Sequence, residues 1–104
     1  MRVVTSQAAK DDLVEAETWW RENRGDAPGA LADEIAAAFA KLEHDAPVAP
    51  VFGKAAGLIV RRTHLPRTRR HLYFTIEADR VVILAVWGSV RGVRPRLRDR
   101  ARRQ

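Results

Sequence analysis

Apolar residues recur at helical spacing in the first half of the chain and at extended spacing in the second. Ala9, Leu13, Ala16 and Trp20 fall on one face of a helix that Ser6 can cap, and Asp11, Asp12, Glu15 and Glu17 lie largely off that stripe. A short β-prone run, Arg2 to Thr5, precedes this helix. Arg24 and Gly25 end it, because glycine accepts the left-handed conformation of a helix cap. Asp26, Ala27 and Pro28 then offer a cap and first turn for a second helix with the stripe Leu31, Ile35, Ala38, Phe39 and Leu42. The segment Asp45 to Pro50, with two prolines, stops it. Two amphipathic helices joined by a short turn predict an antiparallel hairpin.

From Gly57 the period becomes extended. Leu58 to Arg62 reads as a short strand, and Thr63 to Thr68, which contains Pro66, as a loop. In the next strand Leu72, Phe74 and Ile76 alternate with His71, Tyr73 and Thr75, giving one oily and one polar face. Ala78 and Asp79 make a tight turn into Val81 to Trp87, an unbroken apolar run of the kind found in a central strand covered on both faces. The predicted fold is α+β: an N-terminal strand and a helical hairpin packed on one face of a four-stranded antiparallel sheet, over residues 1–97. Residues 98–104 are expected to be a flexible basic tail, since they hold too few apolar side chains to pack as a helix alone. The long apolar run leaves greasy surface on the face opposite the hairpin, and a second chain is expected to cover it.

A length of 104 residues allows one domain with one core. The chain has no cysteine, which excludes disulfide scaffolds, thiolate zinc sites and cysteine nucleophiles, and fits a reducing compartment. Val81 to Trp87 is far too short to cross a bilayer, and Met1 to Gln7 has no signal-peptide hydrophobic segment. A cytoplasmic location, without membrane association, is expected. His44, His64 and His71 are too scattered to suggest a metal site, and no cofactor is expected.

Charge divides the chain more sharply than its net +6 suggests. Residues 1–52 hold five Lys or Arg against ten Asp or Glu, a balance of −5, and residues 53–104 hold fourteen against three, a balance of +11. Arginine supplies sixteen of the nineteen cations and suits bidentate recognition of phosphate or carboxylate. Arg61, Arg62, Arg67, Arg69 and Arg70 fall on one predicted hairpin, and Arg91 and Arg94, beyond the last strand, are expected next to this cluster. With few carboxylates nearby, these residues are candidates for gripping nucleic acid or an acidic protein segment. Trp87, at the end of the last strand, is a candidate partner contact.

The acidic helical hairpin, the Arg-rich strand, the stretch His71-Leu72-Tyr73-Phe74-Thr75-Ile76, the stretch Val81-Val82-Ile83-Leu84-Ala85-Val86-Trp87 and the step Arg91-Gly92 together resemble the RelE/ParE superfamily of toxins from bacterial type II toxin–antitoxin modules. The similarity runs over residues 2 to about 97. It implies a small microbial-RNase-like α+β fold and a cognate antitoxin whose C-terminal segment wraps the toxin in a hetero-oligomer.

Two branches of the family imply two targets. RelE-like members cleave mRNA on the ribosome with basic residues on the sheet and a tyrosine near the C-terminus, and ParE-like members inhibit DNA gyrase without that set. Arg91 stands where the ribonucleases keep a transition-state arginine, and Arg61 lies on their basic strand. His71 replaces another of their arginines, and Leu97 falls near their tyrosine. The step Arg91-Gly92 followed by Pro95 is more similar to the ParE branch, so gyrase inhibition without chemistry of the chain's own is the first expectation. The alternative is a metal-independent endoribonuclease in which His71 moves the proton of the 2′-hydroxyl while Arg61 and Arg91 stabilise the phosphorane. A non-toxic basic interaction module is the second alternative.

Overall fold

Over the residues that the computed structural model describes, 1–88 and 93–103, the two periods become five strands and three helices. In chain order these are β1 (Arg2–Thr5), α1 (Gln7–Asn23), α2 (Ala30–Asp45), β2 (Val51–Ala55), β3 (Leu58–Leu65), β4 (Arg70–Glu77), β5 (Arg80–Gly88) and α3 (Leu97–Arg103), with a 3-10 turn at Ala46–Val48 after α2. Ser6 switches the chain from strand to helix, its Oγ accepting the amide hydrogen of Ala9 at 3.2 Å. The second helix begins at Ala30 rather than at the expected Asp26 cap; Gly29 is its N-cap and makes no side-chain bond. Asp26 to Pro28 instead form the bend between helices, held by the Trp20 indole, whose Nε1 donates to the Ala27 carbonyl at 2.7 Å.

The sheet runs in the order β1-β5-β4-β3-β2 and is mixed, which corrects the expectation of four antiparallel strands. β1 lies parallel to β5, with Arg2 opposite Arg80 and Thr5 opposite Ile83, so both strands enter the sheet at the same end, and the α1–α2 hairpin with β2, β3 and β4 forms the long connection that a parallel pair requires. The additional strand is β2, which pairs antiparallel with β3 through the two-residue turn Ala56-Gly57; both turn residues have positive φ, 50° and 79°. Its register shifts between Val51 and Gly53, and that irregularity hides the alternation that would mark a strand in sequence. β3 also runs past its expected end at Arg62, since Thr63, His64 and Leu65 pair with Leu72, His71 and Arg70 and only the turn from Pro66 is left as loop.

The hairpin packs Ala9, Ala16, Trp20, Leu31, Ile35 and Leu42 against Leu65, Leu72, Phe74, Val81, Ile83 and Val86 of the sheet. The opposite face gathers Ala55, Val60, Tyr73, Val82, Leu84 and Ala85 with Ala101 of α3 and, partly buried, Phe52, Trp87 and Leu97. Coverage on both faces explains the unbroken apolar run of β5, and a bulge interrupts its alternation. Tyr73 faces Ala85 and Phe74 faces Ile83, so Leu84 is an extra residue and the inward–outward alternation changes phase at that point. Val86 thereby joins the hairpin side and Trp87 the α3 side.

Residues 98–103, expected as part of a flexible tail, are helical, and α3 covers part of the face assigned to a second chain. Its anchor is Arg100. The guanidinium makes two bonds to the Asp12 carboxylate of α1, at 2.5 and 3.1 Å, and donates to the Leu84 carbonyl at 3.1 Å. Asp12 Oδ2 also accepts the amide hydrogen of Val86 at 3.0 Å. β1 pairs with β5 only as far as Ile83, so this carboxylate and guanidinium satisfy backbone groups on the edge that β1 leaves bare. The pair is largely shielded, with side-chain exposures of 17% and 9% for Arg100 and Asp12. Asp12→Ala is expected to lower stability by about 3 kcal/mol, since it strands a shielded guanidinium and a backbone amide. Urea unfolding measures this, and a loss under about 1 kcal/mol would show that α3 is held by its apolar contacts alone.

Candidate functional site: a divided basic surface

Strand register decides which candidate residues can act together. Arg61 lies opposite Phe74, so its side chain is on the hairpin side of the sheet, where Nη1 donates to the Ala49 carbonyl at 2.6 Å. Arg62 lies opposite Tyr73, and His64 opposite His71, on the α3 side. Arg61 and His71, two of the three residues expected for phosphodiester cleavage, therefore face opposite sides of the sheet. Arg91, the third, lies outside the described residues.

The remaining members of the basic cluster divide in the same way. Arg70 turns to the hairpin side, with its guanidinium 5.7 Å from the Trp19 ring centroid and 6.0 Å from that of Trp20. It sits in a cleft of about 690 Å³ between the hairpin and the β3–β4 turn, with Asp12, Glu15 and Asp26 on one wall and Arg67 and Arg69 on the other. Glu34 of α2 clamps that turn. Its carboxylate accepts the amide hydrogens of Arg67 (2.8 Å) and Thr68 (2.9 Å) and the Thr68 hydroxyl (2.6 Å). Burial works against ionisation of Glu34, but these bonds together with the nearby Arg67 charge outweigh it and hold the carboxyl below its ordinary value. Arg69 takes a left-handed conformation, φ 55°, at the end of the turn.

On the α3 side, aromatic and cationic groups interleave. Phe52 meets Tyr73 edge to face at 5.0 Å between centroids, and the guanidinium groups of Arg62 and Arg94 lie 4.9 and 5.2 Å from the Phe52 centroid. His64 and His71 are 4.9 Å apart across the strands. Trp87 carries the Arg100 guanidinium at 5.2 Å and donates from Nε1 to the Val93 carbonyl at 2.8 Å. Its expected role as a partner contact is thus joined by a structural one, tying the segment before α3 to the sheet.

Phe52, Glu34, Asp12, Arg94 and Arg100 shape these surfaces, yet only Arg94 is recognisable from the sequence. Phe52 falls in a segment that reads as a connection, and Asp12 and Arg100 are 88 residues apart. Among the described residues no group of three or more His, Asp or Glu is placed to hold a metal ion, and no helix is long and apolar enough to cross a membrane. Comparison with protein-family models, curated proteins and solved structures finds no match to this chain.

Burial, then the positive charges of Arg62 and His64, lower the His71 pKa from the ordinary 6.5. The unfolded chain therefore takes up a proton here before the folded chain does as pH falls. The expected result is full stability above about pH 7, declining below the ordinary imidazole value until the folded-state pKa is passed. His71→Asn should flatten that part of a stability–pH curve measured by chemical denaturation; an unchanged curve would assign the decline to other groups.

Proposed function

We propose that this chain is the toxin of a toxin–antitoxin pair of the ParE kind, which inhibits DNA gyrase by binding and is neutralised by a cognate antitoxin in a cytoplasmic hetero-oligomer. The observation that carries a binding rather than a chemical role is the division of the sheet: Arg61 and His71 point to opposite faces, and the cation beside His71 is Arg62. A ribonuclease needs its proton-transfer group and its phosphate-stabilising cations converging on one phosphate. The endoribonuclease alternative loses one of its cations to the other side of the sheet.

The element order, with a hairpin of two helices between the first strand and the remaining strands, supports the resemblance on which the toxin reading rests. A partner surface is also available. Next to the free edge strand β2, Val48, Val51 and Ile59 are 81%, 58% and 51% exposed. A groove of about 460 Å³ between α2 and β3 opens alongside, with Ala38, Leu42 and Leu65 in its lining and the charged side chains of Glu34, Lys41 and Asp45 along α2. An amphipathic antitoxin segment would bury its apolar side chains there, and a free strand edge offers main-chain hydrogen bonds.

Induction of the chain in bacteria is expected to arrest growth with filamentation and a DNA-damage response while bulk translation continues, and co-expression of the adjoining gene should restore growth. His71→Ala should leave toxicity within about twofold, since a binding toxin asks for no proton transfer there. Prompt mRNA cleavage at ribosomal A sites would replace this reading with the endoribonuclease one, and normal growth on induction would leave the interaction-module alternative.

A further inference from the structure

We infer that α3 is a docking element for duplex DNA, presenting an ordered set of arginines to the phosphate backbone. This inference does not depend on the toxin reading. It starts from the way the helix is fixed. Leu97 and Ala101 pack against the sheet, and Arg100, between them on the inward side, is clamped by Asp12 and the Leu84 carbonyl. With that side committed, Arg96, just before the helix, and Arg98, Arg102 and Arg103 within it are all exposed. Among the described residues these four have no ion-pair partner, and Asp99 is the one carboxylate in the helix. Arg98 and Arg102 are one helical turn apart on the same side, and Arg94 extends the positive surface toward Arg62 and Phe52.

The chemistry of this surface selects its ligand. The outward side of α3 has no apolar residue and Val93, before the helix, is a lone exposed one, so this surface lacks the run of apolar side chains needed to enter a bilayer or to give an acidic peptide its hydrophobic anchors. Single-stranded nucleic acid is bound by stacking its bases on exposed rings. Here Phe52 is covered by Arg62 and Arg94 and Trp87 by Arg100, and the His64 and His71 rings lie against each other. What remains is a convex helix of guanidinium groups suited to phosphate, whose backbone contacts would be independent of sequence. B-form DNA admits a helix to its major groove, whereas the major groove of A-form RNA is deep and narrow.

Fluorescence anisotropy of the purified full chain with a labelled 20-bp DNA duplex, across a salt series, tests this. Binding is expected at 50 mM salt, with log K falling against log salt at a slope of about −3 to −5, as four or five neutralised phosphates require. Arg98→Gln/Arg102→Gln, at exposed positions that keep helix propensity, should weaken binding at least about tenfold and make the slope shallower by about 2. Arg21→Ala/Lys41→Ala, which removes the same charge from the helical hairpin, should change neither, and circular dichroism and unfolding midpoints check that both variants fold. Absence of binding at 50 mM salt, an unaltered slope in the glutamine variant, or an equal loss in the hairpin variant would overturn the inference. So would equal or tighter binding to a 20-bp RNA duplex, a single strand, poly-glutamate or phosphatidylglycerol vesicles at matched charge.

Discussion

A strand that ends early leaves its neighbour's backbone unpaired, and the structure depends on how that is resolved at β5. β1 accompanies β5 only to Ile83 before turning into α1, and beyond that point no strand among the described residues pairs with this edge. Asp12 and Arg100 take the place of the missing strand, the carboxylate accepting from the Val86 amide and the guanidinium donating to the Leu84 carbonyl while the two hold each other. One ion pair therefore closes the sheet edge, fastens α1 to β5 and docks α3. Its geometry is of the kind in which a shielded pair is fully bonded, so neither charge is left without compensation.

The same docking decides what kind of surface the molecule presents. The acidic residues of the first half lie mainly on the two hairpin helices, with Asp11, Glu22, Asp33 and Glu43 exposed there. The arginines of the second half are spread over both sides of the sheet and over α3. The outer faces of the two hairpin helices are therefore the acidic part of the surface, and α3 with the strand positions beside it is a part to which polyanions are drawn. The surface also separates two kinds of binding. The groove beside α2, which mixes apolar and charged side chains, and the β2 edge suit a polypeptide, and the helix at the far side suits a polyphosphate.

Much of the fold was legible from periodicity. The stripes of α1 and α2, the alternation in β4 and the apolar run of β5 each report a buried face that tertiary structure then uses. β2 was not legible, because a glycine and a register shift interrupt five residues that have little alternation to begin with. Nor was α3: two inward apolar residues in seven give no usable period, and its anchor is a partner 88 residues away. The candidate site was legible in composition and not in geometry. Arg61 and Arg62 are adjacent in a strand with apolar residues on both faces, Leu58 and Val60 on one and Ile59 on the other, so sequence alone could not say which arginine shares a face with His71. Pairing with β4 settles it in favour of Arg62.

The extra residue in β5 has a reach beyond its own strand. Side chains in a strand alternate with a period of two, so a single insertion reverses the orientation of everything downstream. Removing Leu84 would leave the composition of the strand almost intact, yet it would aim the indole of Trp87 at the hairpin and the valine before it at the opposite side. Arg100 would then have no ring to lie on and Val93 no indole to hold it. The position of the C-terminal helix is thus set by a count, the parity of residues between the β4–β5 turn and Trp87. Substitutions in this strand change its fit, whereas a change in its length would exchange its two sides.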